Sequence, residues 1–279
     1  MAKLEAKALA GAEHQESLRG RSQQTFFPAA LGENFTYADA VTVDLKRRAA
    51  FDAAAMTAQA INARIRALMN EGYGHIVVQN PMAKHGIGVG LLNRLKLDFE
   101  GSLGYFGCGL LDGPIVHITG RVGWSCAENM MAGVVLIEKN AGSTFGAAIR
   151  GGDLVCKGDV GARVGIDQKG GTIIIGGRAG SFCGFMMQRG RMIILGDTGK
   201  NLGDSMYDGT IFVGGKIGSL GVDAVPGELN EVDIAWLKRK LGTYGLKAPN
   251  GVENLKKIVA GRQLWNYDKL EPSEKKIAL

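Results

Sequence analysis

The stretch GDVGARVGIDQKGG, from Gly158 to Gly171, packs five glycines into fourteen residues. A loop this rich in glycine is either a phosphate cradle or a tight backbone corner. The two readings separate on number. A phosphate loop occurs once, between a strand and the helix that it opens. Here the pattern recurs: Gly104, Gly123, Gly142, Gly161, Gly180, Gly199 and Gly218 stand 19 residues apart each time. Three residues before them stand Gly101, Gly120, Lys139, Gly158, Gly177, Gly196 and Gly215. Four residues after the first six come Cys108, Ala127, Gly146, Gly165, Gly184 and Gly203, all small. A unit G-x-x-G-x-x-x-G held in register this often shapes a corner of a repeating coil.

A short strand precedes each corner: PIVHITG, GVVLIEK, GDLVCKG, GTIIIGG, RMIILGD and GTIFVGG. These are runs of β-formers bounded by glycine. One column of the repeat holds Leu97, Val116, Val135, Leu154, Ile173, Met192 and Ile211. Two residues on, a second holds Phe99, Ile118, Ile137, Cys156, Ile175, Ile194 and Val213. Both are wholly apolar at the period-2 spacing of one strand face. A small apolar column (Leu103, Val122, Ala141, Val160, Ala179, Thr198, Ile217) and a fourth (Cys126, Phe145, Val164, Cys183, Leu202) complete an interior. The expected fold is all-β: a single-stranded, right-handed parallel β-solenoid, or β-helix, of about seven 19-residue coils. The corner glycines are expected at positive φ or at a close backbone approach.

The flanks divide the chain. Residues 1–40 read as an N-terminal arm and 41–92 as an α/β cap with a helix through AAFDAAAMTAQAINARIRALMNEGYG and a strand at HIVVQN. The solenoid occupies 93–225, and 226–279 reads as a helical C-terminal tail with aromatic anchors Trp265 and Tyr267. One column breaks the inside-outside rule. His117, Leu136, Val155, Ile174, Ile193 and Phe212 point outward, yet five of the six are apolar. A bare apolar stripe needs a cover. That cover is either the chain's own terminus or a partner subunit.

Composition narrows the function. The net charge is +6, and Lys and Arg show no clustering with aromatics, so no nucleic-acid partner is expected. No apolar run reaches membrane-spanning length, and the N-terminus has no signal-like apolar core. Cys108, Cys126, Cys156 and Cys183 have no CxxC spacing, which fits reduced, buried thiols in a cytoplasmic protein. Cys126 and Cys183 share a column three coils apart and cannot bond. The four His (14, 75, 85 and 117) show no metal-ligand spacing. His85 beside Lys84 is a possible anion contact, with a solvated loop as the plainer reading. GIGVGLL, Gly86 to Leu92, lacks the dinucleotide fingerprint. Asp159, Asp197 and Asp204 read as turn residues. No catalytic, cofactor-binding or metal residue is expected in this chain.

The strings GRVGWSCAENMMAG, GDVGARVGIDQKGG, GRAGSFCGFMMQRG and GDTGKNLGDSMYDG resemble the GXGXG solenoid domain of the glutamate synthase large subunit. With HIVVQNP ahead of the coils, the layout over residues 41–225 is more similar to the free-standing form of that domain, a subunit of N-methylglutamate synthase. The resemblance implies a non-catalytic connector between a class II glutamine amidotransferase-like subunit and an FMN-binding glutamate synthase-like subunit. It also implies a share in lining an ammonia route. FMN and an iron–sulfur cluster would sit in the partner. The chain begins Met-Ala, so the family's N-terminal Cys nucleophile has no counterpart here. The C subunit of formylmethanofuran dehydrogenase and its formyltransferase/hydrolase relatives carry a similar solenoid and are the alternative.

Overall fold

A computed structural model describes residues 41–261. The chain opens with strand β1 (Asp44–Asp52), helix α1 (Ala58–Asn70) and strand β2 (Tyr73–Gln79). One strand per coil follows: β3 (Lys96–Glu100), β4 (Asp112–Ile118), β5 (Ala132–Ile137), β6 (Asp153–Cys156), β7 (Lys169–Ile175), β8 (Arg189–Ile194) and β9 (Thr210–Val213). These strands pair in parallel, each with the next, from β1 to β9. The register is that of the repeat: Leu97 faces Val116, then Val135, Leu154, Ile173, Met192 and Ile211. The fold is a parallel β-solenoid of about seven turns.

Both strand columns are fully buried. The small column also pairs by backbone, with bridges from Val122 to Ala141, Val160, Ala179, Thr198 and Ile217 in turn. It makes a second, narrower wall. A further interior column, Leu111, Met130, Ile149, Gln168, Met187 and Met206, is wholly buried and was not among those read from the sequence. Its one polar member, Gln168, turns its amide nitrogen to the carbonyls of Gly170, Gly171 and Arg191.

The N-terminal cap differs from expectation. The helix begins at Ala58, with Thr57 capping Ala60 N, and the preceding Ala–Phe–Asp run is strand β1. Alanine spacing alone suits helix, but here Ala49 to Asp52 pair with Ile76 to Gln79. Asp52 Oδ1 then accepts from Ala54 N and turns the chain before the cap. The C-terminal segment also differs from an all-helical reading. After β10 (Ala224–Gly227) come α2 (Glu231–Thr243), a 3₁₀ turn (Val252–Asn254) and β11 (Lys256–Ala260). β11 inserts antiparallel between β9 and β10 and closes the last coil. Trp265 and Tyr267 lie outside the described residues, as does the N-terminal arm.

α2 answers the question of the outward stripe. Val155, Ile174, Ile193 and Phe212 are fully buried with Leu237 and Leu241 of α2, and with Val252 and Leu255 beyond it. Leu136, Ile234, Trp236 and Tyr244 pack at the edge of this second core. The chain covers its own stripe. An Asn230–Asp233 capping box opens α2. Lys240 Nζ reaches Asp153 at 2.7 Å, and Tyr244 donates to the same carboxylate at 2.5 Å.

The corner glycines divide by cause. Gly161 is not at positive φ; a Cβ there would lie 2.6 Å from the backbone nitrogen of Ser143, one coil below. Gly165, four residues on, has φ +60. Close approach therefore explains the first row and handedness the second. At the second position Cys108 and Ala127 also adopt positive φ, so the corner geometry is imposed by the stack.

Candidate functional surfaces

The corners were the first candidate for anion binding, and their donors are already used. Ser102, Asn140, Asp159 and Asp197 lie in one column. Their side-chain oxygens accept from the backbone N–H of Arg121, Asp159, Arg178 and Lys216, each one coil higher. Ser143 and Ser181 do the same for Ala162 and Lys200. The turn aspartates expected from sequence thus tie coil to coil. Arg178 holds the Asp159 carboxyl below its usual pKa by side-chain and backbone hydrogen bonds. Gly86, Gly88 and Gly90 of GIGVGLL lie at φ +62, +69 and +64, the left-handed pattern of a corner. Gly86 N and Gly90 N donate to Tyr105 O and Gly109 O in the next coil. Backbone amides committed in this way do not form a phosphate cradle.

His85 and Lys84 do not form an anion site either. Lys84 Nζ donates to the carbonyls of Ala53 and Ala54, at 3.0 and 2.9 Å. His85 Nδ1 accepts from Tyr105 N. The imidazole instead begins an aromatic row. His85 stacks on Tyr105 with centroids 4.6 Å apart, and Tyr105 on Trp124 at 5.1 Å. Tyr105 is 41% exposed, Phe106 55% and Trp124 57%. Met82 and Leu110 are exposed in the same coils. Further along the column stand Ser143, Ala162, Ser181 and Lys200, so the stacked row ends in the first coils.

A second row crosses the strand face. His75 Nε2 lies 2.6 Å from Asp98 Oδ2, and His117 Nε2 lies 3.0 Å from Glu138 Oε1. Lys157 Nζ reaches Glu138 Oε2 at 2.8 Å. The Lys157 ammonium, with His117 behind it, holds the Glu138 carboxyl below its usual pKa. The row continues the stripe column in a charged form, since Asp98 and His117 occupy the positions that Val155 and Ile174 occupy lower down. Neither row was found from sequence. The aromatic row is offset by 20 residues and then 19, and the charged row by 23, 19, 21 and 19, so a strict 19-residue alignment scatters both.

The four cysteines are buried and unpaired. Burial pushes the Cys156 and Cys183 thiols up to about 12. The neighbouring Cys108 thiol and burial both raise Cys126. Cys126, Cys156 and Cys183 are therefore protonated packing groups. Among the described residues, no group of three or more His, Cys, Asp or Glu is placed to hold a metal ion. No described helix is long and apolar enough to cross a membrane. His14 lies outside the described residues.

Comparison with known proteins matches the GXGXG motif family over residues 61–236. That span runs from α1 through every coil into α2, and is more than half of the chain. The chain belongs to the GXGXG motif family. The chain is also similar to Protein GlxC of Rhizobium meliloti (strain 1021), with 42% identity over 60 residues. That match spans 22% of this chain and 26% of GlxC, about a quarter of the relative's length.

Proposed function

We propose that this chain is a connector subunit of a glutamate synthase-like complex. The GXGXG match along the solenoid carries this reading. Within the class, the N-methylglutamate synthase assembly suits it best: glutamate and methylamine give N-methylglutamate and ammonia. The chain would hold a class II glutamine amidotransferase-like subunit and an FMN-binding synthase-like subunit together, and would help line the ammonia route. Its own part would be structural. The corner amides are bonded from coil to coil and the four cysteines are buried and unpaired, which supports placing FMN and the iron–sulfur cluster in the partner. The aromatic corner of the first coils, exposed among the described residues, supplies apolar surface for docking.

The test is co-expression of the full chain with the proteins encoded beside its gene, followed by purification on a tag carried by this chain. The expected result is a stable complex with flavin absorbance that forms N-methylglutamate, and a colourless, inactive chain when expressed alone. Stoichiometric FMN or iron in the isolated chain would overturn the connector reading. Molybdenum or tungsten in the complex would move it to the formylmethanofuran relatives.

A further inference from the structure

Among the described residues, a cleft opens where the last coil meets the return strand. The small inner column ends at Ile217, which is only half-buried because no described coil stacks above it. The return strand β11 pairs with β9 on the sheet side of that last coil. Between them lies a cleft of about 450 Å³, walled by Ile217, Leu220, Leu229, Leu255 and Ile258. Two lysines stand on its lining, and they differ. Lys257 is neutralised by Asp233 at 2.7 Å. Lys256 donates only to the carbonyl of Gly215, at 2.8 Å, and has no acidic partner among the described residues. An ammonium carries three donors, so Lys256 can keep that bond and still bind an anion.

The geometry points to this cleft as a binding site for an anionic amphiphile of the aliphatic carboxylate class. The apolar walls take the chain, and Lys256 takes the carboxylate. The volume falls within the range of small-molecule sites, which combine apolar lining with a few placed polar groups. A cation with no described acidic partner beside aliphatic walls selects a single negative head over a neutral or positive one.

The probe is octanoate, titrated into the full chain with amide chemical shifts of residues 215–230 and 252–260 as readout. Octanol and octylamine serve as head-group controls. The expected result is saturable binding of octanoate, roughly tenfold tighter than octanol, with octylamine weaker still. Lys256→Met should remove the preference for octanoate over octanol, Lys256→Arg should retain it, and Leu220→Trp should fill the cleft and abolish binding of both. Equal affinity for octanoate and octanol in the parent chain would overturn head-group recognition by Lys256. So would no saturable shift, or a Lys256→Met variant that binds octanoate unchanged. A peptide with a free C-terminal carboxylate that binds where octanoate does not would also overturn the proposal, in favour of a protein partner.

Discussion

Along one outer column the solenoid finishes its surface in two ways. In the later coils the column holds Val155, Ile174, Ile193 and Phe212, and α2 buries them. In the earlier coils the same column holds Asp98 and His117, which are hydrogen-bonded to neighbours and remain partly exposed. The aromatic corner of those early coils follows neither pattern. Tyr105, Phe106 and Trp124 are large and apolar, yet no described element covers them. Where this chain has apolar surface to hide for its own stability, it supplies the cover in cis. An apolar surface that no described element covers, on a chain that covers a longer stripe elsewhere, is what an interface in trans requires.

The strongest way to break this comparison is to charge the covered stripe. Ile174→Lys with Ile193→Lys removes two buried side chains worth ~1.5–3 kcal/mol each and places two ammoniums under α2. The combined loss should be on the order of 5 kcal/mol or more. Because the inner columns are untouched, far-UV circular dichroism should keep its β signature. Trypsin should then cut at Lys238, Arg239 and Lys240, which α2 protects in the parent chain. Unchanged cleavage would mean that the stripe does not hold α2.

A second substitution tests the corner that both halves share. Gly161→Val forces a branched side chain against the Ser143 backbone, where neither coil can retreat. The cost should be ~3 kcal/mol or more, read as a lowered unfolding midpoint. Gly86→Ala is the control. Nothing lies within 4 Å of a Cβ there, and only the positive φ is strained. Its cost should be about 1 kcal/mol. Equal effects at the two sites would show that handedness, not close approach, governs the first glycine row.

These glycines show what was legible in the sequence. The 19-residue period fixed the coils, the register and four inner columns, because each coil must repeat the space constraints of the one below. The period also placed the outward stripe, since Leu136 to Phe212 break the alternation. It did not say what covers the stripe. α2 and β11 lie outside the repeat, and their docking depends on pairings such as Lys240 with Asp153, 87 residues apart. The end of β1, Ala49 to Asp52, was read as helix because alanine is compatible with both states and only β2 beside it decides. The two surface rows were missed because they join diagonal neighbours, as His117 to Glu138, and because β2 lies 21 residues before β3 rather than 19.

Two smaller effects sharpen the contrast between covered and open surface. Asp153 accepts from both Lys240 and Tyr244 in a half-buried setting. Asp153→Asn should weaken α2 docking by about 1–3 kcal/mol, seen as faster amide exchange in α2 with the coils unaffected. On the open, charged face, Glu138 has its folded pKa lowered, chiefly by Lys157. A depressed carboxyl contributes stability above its unfolded pKa and loses it as pH falls through the folded value. Lys157→Met should therefore raise the Glu138 titration midpoint in NMR and reduce the acid-side loss of stability. A midpoint that does not move would place the cause elsewhere.

The smallest expected effect on stability falls on the aromatic corner. Tyr105 and Trp124 stack on one another but expose about half their surface, so their removal opens no cavity in the solenoid. Tyr105→Ala with Trp124→Ala should shift the unfolding free energy by only about 1 kcal/mol, the size of an exposed stacking pair. If this corner is an interface, the same variant should lose co-purification with its partner, because exposed aromatic anchors dominate binding energy where they become buried. Met186, an exposed side chain of a later coil, provides the contrast: Met186→Ala should leave both stability and assembly unchanged. A double variant that assembles normally would show that the open aromatic row is not a docking surface. A double variant that unfolds would show that it belongs to the core of the first coils. Normal stability with lost assembly is the outcome that separates the surface this chain covers for itself from the surface it leaves to another.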